Sequence, residues 1–254
     1  MKKNVLNDHI ISHLCSVVKH LELYKKRKGQ EHIHHIRTDI KKIKALLSFL
    51  DHTCKKDSIP KIDPLKSLYR KAGKIRELQI NIQLLEKLPF TSKTIVKKLK
   101  KDEKKMNRGF CSHISNYLNS TIDFMDSLDL PDQLPKKESV KKYFNNQMKK
   151  NNVYLDNKRN KNNIHRLRVA VKKMIHIHHL LPKKLRKEYK LNAGYAKRLE
   201  TKAGNWHDTF AAIHFFRSKK YFSAAHLKAL VLKEEKQYRS LLFYLRAFEE
   251  IRNK

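Results

Sequence analysis

One basic helical pattern occurs twice in the chain, and this repetition limits the folds that the sequence can adopt. The segment "IHHIRTDIKKIK" begins at Ile33, and "IHRLRVAVKKMI", which begins at Ile164, repeats its His, Arg and Lys-Lys residues 131 positions later. The same shift aligns "KAGKIRE" with "KAGNWHD", and in later segments it aligns Glu103 and Arg108 with Glu234 and Arg239. A constant shift across three segments indicates a duplicated four-helix unit.

Helix breakers are scarce, with 5 Gly and 6 Pro among 254 residues. The Leu-, Ile-, Lys-, Glu- and Gln-rich segments between them favour helix, so the sequence predicts an all-α protein. We expect a single domain, 1–254, made of two four-helix bundles, 1–130 and 136–254, joined by the linker 131–135. With ends uncertain by ~2–4 residues, the eight predicted helices are 5–27, 31–53, 62–88, 92–128, 137–158, 161–181, 193–219 and 223–250.

The net charge indicates the class of partner. The chain has 59 Lys+Arg against 24 Asp+Glu, a net charge of +35 at pH 7. Such an excess destabilises a compact body by self-repulsion, so we expect a polyanionic partner. The sign alone leaves DNA, RNA, acidic lipid and inorganic polyanions open.

The sequence also predicts a cytoplasmic location. Cys15, Cys54 and Cys111 are far apart and have no metal-ligand spacing, which favours reduced thiols. The basic start of the chain lacks the apolar core of a signal peptide, and no stretch is apolar enough for a transmembrane span.

Each copy of the pattern predicts a helix with an apolar and a basic face. In the first copy, Ile33, Ile36, Ile40, Ile43, Leu47 and Leu50 form the apolar stripe, and His34, Arg37, Lys41 and Lys44 form the basic stripe. The second copy has apolar Ile164, Leu167, Val171 and Met174 beside basic His165, Arg168 and Lys172. Cations so close repel one another unless an anion lies along them, which favours a linear polyanion. In a chain this basic, a merely solvated face is the competing interpretation.

The two His-x-x-Arg-x-x-x-Lys-Lys helices, each followed by a Gly-x-x-(Arg/His)-(Glu/Asp) segment, resemble the CHAD family, the conserved histidine α-helical domain. The resemblance implies two four-helix bundles related by pseudo-two-fold symmetry, with a basic central cavity or groove, lined by both repeats, that binds inorganic polyphosphate. Ile175 departs from the family pattern because a further base is typical there. Carried onto this chain, the motif residues are His34, Arg37, Lys41, Lys42, Lys44, His165, Arg168, Lys172 and Lys173. Arg108 and Arg239, equivalent in the repeat, are expected as additional cavity bases, and Arg76 and Lys202 complete the predicted polyphosphate-binding set.

The residue types suit different tasks. Arginines can make bidentate contacts with phosphoryl oxygens, whereas lysines act as mobile point charges. Glu77 and Asp208 would hold a basic side chain in place, with a plain surface ion pair as the alternative. His34 and His165 suit phosphate contact, packing or metal ligation, and their basic surroundings favour phosphate. The two "HIHH" strings, from His32 and from His176, are out of register with the repeat, so we interpret them as surface or packing histidines.

No nucleotide-binding loop or catalytic motif is present, and the basic stripes contain no carboxylates that could hold Mg²⁺. We therefore expect a binding protein that is not an enzyme and has no cofactor and no metal. Polyphosphate is the expected partner, and polyphosphate granules are a location that this ligand would allow. The alternative function is binding of a nucleic-acid backbone. It is less favoured because the basic stripes contain no aromatic residues on which bases could stack.

Overall fold

The computed structural model describes residues 4–54, 59–87, 93–158, 160–187, 189, 191–218 and 224–252. These residues are helical or in connecting turns, which confirms the all-α prediction. The α-helices are α1 Val5–Arg27, α2 Gln30–Thr53, α3 Lys66–Glu86, α4 Lys93–Cys111, α5 Ile114–Asp126, α6 Lys137–Asp156, α7 Lys161–Leu180, α8 Lys183–Arg186, α9 Ala193–Arg217 and α10 Ala224–Arg252. A 3₁₀ turn, Asp63–Leu65, precedes α3.

The predicted helix 92–128 is wrong in one respect, because it is two helices, α4 and α5. The break lies at Ser112 and His113. The Ser112 hydroxyl donates to the Gly109 carbonyl oxygen at 3.0 Å, and His113 Nδ1 lies 2.9 Å from the same oxygen. These side chains replace backbone donors at a point where glycine already weakens the helix. The short helix α8 was also not predicted.

The chain divides into two compact units. The first is made of Met1–Ile82, Lys97–Tyr143 and His176–Tyr189, and the second of Gln83–Val96, Phe144–Ile175 and Lys190–Lys254. The predicted internal repeat and its division at 131–135 stay predictions. Within the described ranges, no helix is long and apolar enough to cross a membrane.

The first unit is built around α1 and α2. Helix α1 buries one apolar stripe completely and packs on α2 and α5. Its first turn holds the predicted linker, because the Asn4 side-chain amide donates to the carbonyl oxygens of Pro131 and Gln133 at 2.8 and 3.1 Å. The segment 131–135 is therefore fixed against the start of α1. The buried residues of α1 are Leu6, Ile10, Leu14, Val17, Leu21 and Tyr24.

The second unit packs α9 on α10 around a core that includes the apolar face of α7. At its centre, fully buried Trp206 donates from Nε1 to Glu234 Oε1 at 2.6 Å, and Lys161 Nζ lies 2.8 Å from the same oxygen. These two donors satisfy a carboxylate that is only 4% exposed. Glu103, the residue 131 positions earlier, accepts a hydrogen bond from Gln79 at 3.0 Å. Each unit therefore uses this glutamate as an internal acceptor.

Candidate anion-binding site

Helix α2 has the two faces that its sequence predicts. The six residues of its apolar stripe are at most 4% exposed, and they belong to the core of the first unit. His34, Lys41 and Lys44 are exposed, and Arg37 is half-buried. Packing of the isoleucines thus fixes the rotation of α2 and turns its bases away from the core.

Arg37 lies against a gap in α3 that a glycine creates. Its Nη1 donates to the Tyr69 carbonyl oxygen at 3.1 Å, and the guanidinium carbon lies 4.7 Å from the centre of the Tyr69 ring. Tyr69 and Gly73 are one turn apart on the same face of α3. A Cβ on Gly73 would collide with Arg37 Nη1. The missing methyl group of Gly73 therefore permits the close approach of an arginine side chain.

Lys42 is held from inside the first unit by Asp39, which is 5% exposed. Lys42 Nζ lies 3.4 Å from one oxygen of Asp39, whose carboxylate also accepts from Ser16 Oγ at 2.7 Å and faces His13 Nδ1 at 3.1 Å. Burial alone would raise the pKa of Asp39. The hydrogen bonds from His13 and Ser16 and the charge of Lys42 outweigh it, so the pKa lies below the usual range. The charged carboxylate therefore offsets part of the basic charge of α2.

The histidines of the first unit form contacts with one another. His20 Nδ1 lies 3.1 Å from His32 Nδ1, and the His20 ring stacks on His35 at 4.4 Å. Burial, followed by repulsion from His35 and His32, lowers the pKa of His20. Burial and then the neighbours His13, Lys42, His9 and His179 lower the pKa of His176 to about 3. These imidazoles are thus kept neutral by their surroundings.

The "HIHH" strings belong to this part of the molecule. His32 and His178 are buried, and His178 Nε2 donates to the Tyr189 carbonyl oxygen at 3.0 Å. Among the residues that the structure describes, no three His, Cys, Asp or Glu side chains are arranged to hold a metal ion. His32 and His178 therefore make packing contacts, whereas His35 and His179 are exposed, and the sequence interpretation left both alternatives open.

In the second unit, Arg168 of α7 lies against Gly204 of α9, as Arg37 of α2 lies against Gly73 of α3. Its Nε would lie 3.4 Å from a Cβ on Gly204, so the guanidinium lies over the glycine with slightly more room. This Nε is buried and has no hydrogen-bond partner within the described chain. A buried donor without a partner is costly and is a natural point for a ligand oxygen.

A stacked histidine pair lies one helical turn away. The rings of His165 on α7 and His207 on α9 have centroids 4.3 Å apart and an interplanar angle of 26°. His207 Nδ1 faces Asp208 Oδ1 at 3.7 Å. The first unit has Arg76 at the position of His207, since each follows its glycine by three residues. The structure therefore gives His207, which was not among the predicted site residues, a place beside the motif histidine.

The lysines of the second unit have a buried acid as well. Glu200, 8% exposed, lies 3.1 Å from Lys172 Nζ and 2.7 Å from Lys197 Nζ. Burial raises the pKa of Glu200, but hydrogen bonds and charge from Lys197 and Lys172 outweigh it, so that the pKa is lowered. Lys202 Nζ donates to Ser240 Oγ at 3.2 Å. Lys172 and Lys202 are thus directed by partners in their own unit.

The other predicted residues are distributed over several helices. Arg76 and Lys173 are half-buried on α3 and α7, whereas Arg108 on α4 and Arg239 on α10 are exposed. Ile175, the departure from the basic pattern, is 9% exposed and packs in the core of the second unit. Glu77 is exposed, and the contact of Asp208 is with His207 rather than with an arginine or lysine. The proposed holding role of these two acids stays a prediction.

Asp39 and Glu200 were missed by the sequence interpretation. Asp39 could have been found, because it stands three residues before Lys42 on the same helix. Glu200 stands where the first unit has Tyr69, so the repeat gives no signal for it. Its partner Lys172 comes from another helix, and only the packing of α7 on α9 brings them together.

The comparisons with known proteins agree with the motif. The fold is similar to the crystal structure of the CHAD domain from the plant Ricinus communis, with a TM-score of 0.59 at 11% identity over 98% of this chain and 88% of that one. It is also similar to PptA from Streptomyces chartreusis, with a TM-score of 0.59 at 10% identity over 100% of both chains. No curated protein matches the sequence. The family model of the CHAD domain matches residues 9–217, and the chain therefore belongs to the CHAD domain family.

Proposed function

We propose that the protein binds inorganic polyphosphate through the basic residues of α2 and α3 in the first unit and of α7 and α9 in the second. The observation that carries this proposal is the arginine of each motif helix, which lies over a glycine of another helix in its own unit. This contact holds the guanidinium in place, and Arg37 uses only part of its donor set in the contact with Tyr69. A guanidinium held in this way can offer its remaining N–H groups to phosphoryl oxygens as a fork.

The chemistry around the two arginines supports a phosphate polymer. Lysines and histidines lie on the same helix faces as Arg37 and Arg168. The buried acids Asp39 on α2 and Glu200 on α9 are already held by lysine, serine and histidine side chains. A repeating anion can satisfy a row of cations without any group that distinguishes bases. The same row would accept a nucleic-acid backbone, which is the competing partner.

A competition titration tests the proposal. A labelled long-chain polyphosphate is bound to the protein in about physiological salt, and unlabelled polyphosphate, single-stranded DNA, duplex DNA and RNA are compared at equal phosphate concentration. We expect polyphosphate to displace the label at the lowest concentration. If a nucleic acid displaces it equally well or better, the nucleic-acid function replaces this one.

We also propose that binding is not followed by hydrolysis. Incubation with polyphosphate and Mg²⁺ should release no orthophosphate above a protein-free control, because we assign no nucleophile or base to either unit. Orthophosphate release that depends on the protein and co-purifies with it would contradict this. In cells, a tagged protein is expected to co-localise with polyphosphate granules and to leave them when polyphosphate synthesis is blocked.

A further inference from the structure

Helix α4 presents one face to the first unit and the opposite face to solvent. Leu99 and Phe110 are buried, Glu103 accepts from Gln79, and Asn107 accepts from the Tyr24 hydroxyl at 2.8 Å. The four α4 residues fall on one side of the helix. These contacts fix the rotation of α4 about its axis and therefore determine which of its residues face solvent.

The solvent side of α4 is a row of cations. It lies within an arc of about 100° and extends over about 16 Å of helix. Every side chain in the row is exposed, and in the part of the chain that the structure describes no hydrogen bond or ion pair engages any of them. The residues of this row, here called the α4 row, are Lys97, Lys101, Lys104, Lys105 and Arg108.

Overall basicity does not explain the α4 row. Cations three or four residues apart repel one another, and the row places such neighbours along three turns of helix. The positions 131 residues later, on α10, are Lys228, Leu232, Glu235, Lys236 and Arg239. There an acid and a 57% exposed leucine interrupt the bases. Helix α4 therefore has an uninterrupted row of cations, whereas the corresponding positions of α10 do not.

The composition of the α4 row narrows the choice of ligand. It contains no apolar side chain that could enter a lipid bilayer and no aromatic ring on which a base could stack. Asn107, whose amide could contact a base edge, is turned inward to Tyr24. What remains is a linear array of charge, which fits a flexible phosphate polymer.

The α4 row belongs to the same unit as the α2 site. Helix α3 contacts both helices, through Gln79 to Glu103 of α4 and through Tyr69 to Arg37 of α2. A long polymer held on α2 therefore keeps its free ends at a high local concentration around this unit. Resting on the function proposed above, we propose that the α4 row is a second binding surface for polyphosphate, which makes the protein prefer long chains over short ones.

The test compares two ligand lengths. The variant Lys97→Gln/Lys101→Gln/Lys104→Gln removes three charges and leaves Arg108, a residue of the predicted site, in place. We expect it to weaken binding of long-chain polyphosphate about tenfold and binding of tripolyphosphate by less than about twofold, because only a long chain reaches both surfaces. The matched control, Lys228→Gln/Lys233→Gln/Lys236→Gln on α10, makes the same change in net charge and should leave the length preference unchanged.

Each other outcome overturns the inference. Equal losses for both ligands, or an equal loss in the α10 control, would mean that the lysines act only through net charge. A variant that binds duplex DNA more weakly but long-chain polyphosphate normally would assign the α4 row to nucleic acid. If the wild-type protein binds both polyphosphates and the variant keeps the length preference, only this inference fails; if the wild type binds neither, the proposed function fails. Circular dichroism and thermal melting confirm that each variant is folded.

Discussion

The two units place different chemistry around the same arginine. By the 131-residue shift, the first unit has Arg76 where the second has His207, and an arginine is charged at any physiological pH. The second combines Arg168 with His207, which stacks on His165 at 4.3 Å. It also lacks a counterpart of Lys44, because the corresponding residue, Ile175, is buried in its core. We therefore expect the first unit to hold an anion through permanent charges, and the second to hold it partly through histidine, whose charge depends on pH.

In contrast to His165 and His207 of the second unit, some histidines of the first unit are packed inside that unit. There His20 and His176 pack among other histidines, and burial lowers the pKa of both. Histidines thus lie inside the first unit, whereas in the second unit His165 and His207 stack on each other at the site that we propose for the ligand. We expect pH to change the stability of the protein mainly through the first unit, and its affinity mainly through the second.

The largest difference should appear when charge is removed from the two sites. We expect Arg37→Gln/Lys41→Gln to weaken polyphosphate binding about 100-fold and Arg168→Gln/Lys172→Gln about 10-fold. A hydrogen bond to a charged group contributes about 1.5–3 kcal/mol, and Lys172 is already engaged by Glu200. Fluorescence anisotropy titration measures both, with Lys141→Gln/Lys142→Gln on α6 as a control of equal charge change.

Equal losses of affinity in the two variants would show that the two units bind the anion equally well, which contradicts the expected difference. No loss in either variant would show that α2 and α7 do not contact the ligand. Far-UV circular dichroism is expected to stay helical throughout, because these side chains are outside the apolar cores.

His176 should dominate the acid sensitivity of stability. Its pKa in the folded protein is about 3, whereas an unfolded imidazole titrates near ~6.5, so the unfolded state takes up the proton first as pH falls. Stability from this group is present at neutral pH and is lost below about pH 6.5, amounting to about 2 kcal/mol at pH 5. In urea unfolding at pH 7 and pH 5, His176→Leu should reduce this difference, whereas His179→Gln should not. An unchanged difference would place the acid sensitivity elsewhere.

Replacing Gly73 or Gly204 by alanine should affect polyphosphate affinity differently in the two units. A Cβ at Gly73 collides with Arg37, so Gly73→Ala should weaken polyphosphate binding about fivefold by displacing the guanidinium. Gly204→Ala should leave affinity nearly unchanged, because its Cβ meets Arg168 at 3.4 Å. Alanine also favours helix by up to about 1 kcal/mol, so we expect Gly204→Ala to raise Tm by about 2–4 °C. A larger loss of affinity in Gly204→Ala than in Gly73→Ala would reverse this ranking.

The smallest effect should come from making the second unit resemble the first. In wild-type protein we expect polyphosphate affinity to rise about threefold as pH falls from 7.5 to 6, because a protonated imidazole donates twice and carries charge. His207→Arg should raise affinity at pH 7.5 and flatten this dependence. Anisotropy titrations at several pH values measure it, and His35→Gln, which changes a packing histidine, serves as the control. If the affinity of the wild-type protein does not change with pH, His165 and His207 have a packing role and do not contact the ligand.

The helices and the direction of the basic faces could be predicted from sequence because both depend on local spacing. The apolar stripe of α2 is buried as its periodicity predicts. The break between α4 and α5 could not be predicted with the same rules. It depends on the side chains of Ser112 and His113 contacting the Gly109 carbonyl oxygen, and a single glycine within a helical pattern does not by itself predict a break.

The partners of the site residues were the part that sequence could not supply. Glu200 reaches Lys172 only because α9 packs on α7, and His13 reaches Asp39 only because α1 packs on α2. Spacing along one helix contains no information about such contacts. The repeated glycine is visible in the sequence, but the arginine side chain that lies against it emerges only from the packed helices.

The buried carboxylates of Asp39 and Glu200 also bear on how so basic a protein is made. A nascent chain with a net charge of +35 is surrounded by nucleic acids that attract its lysines. Because these two acids contact lysines within their own units, they reduce locally the like-charge repulsion that folding must overcome.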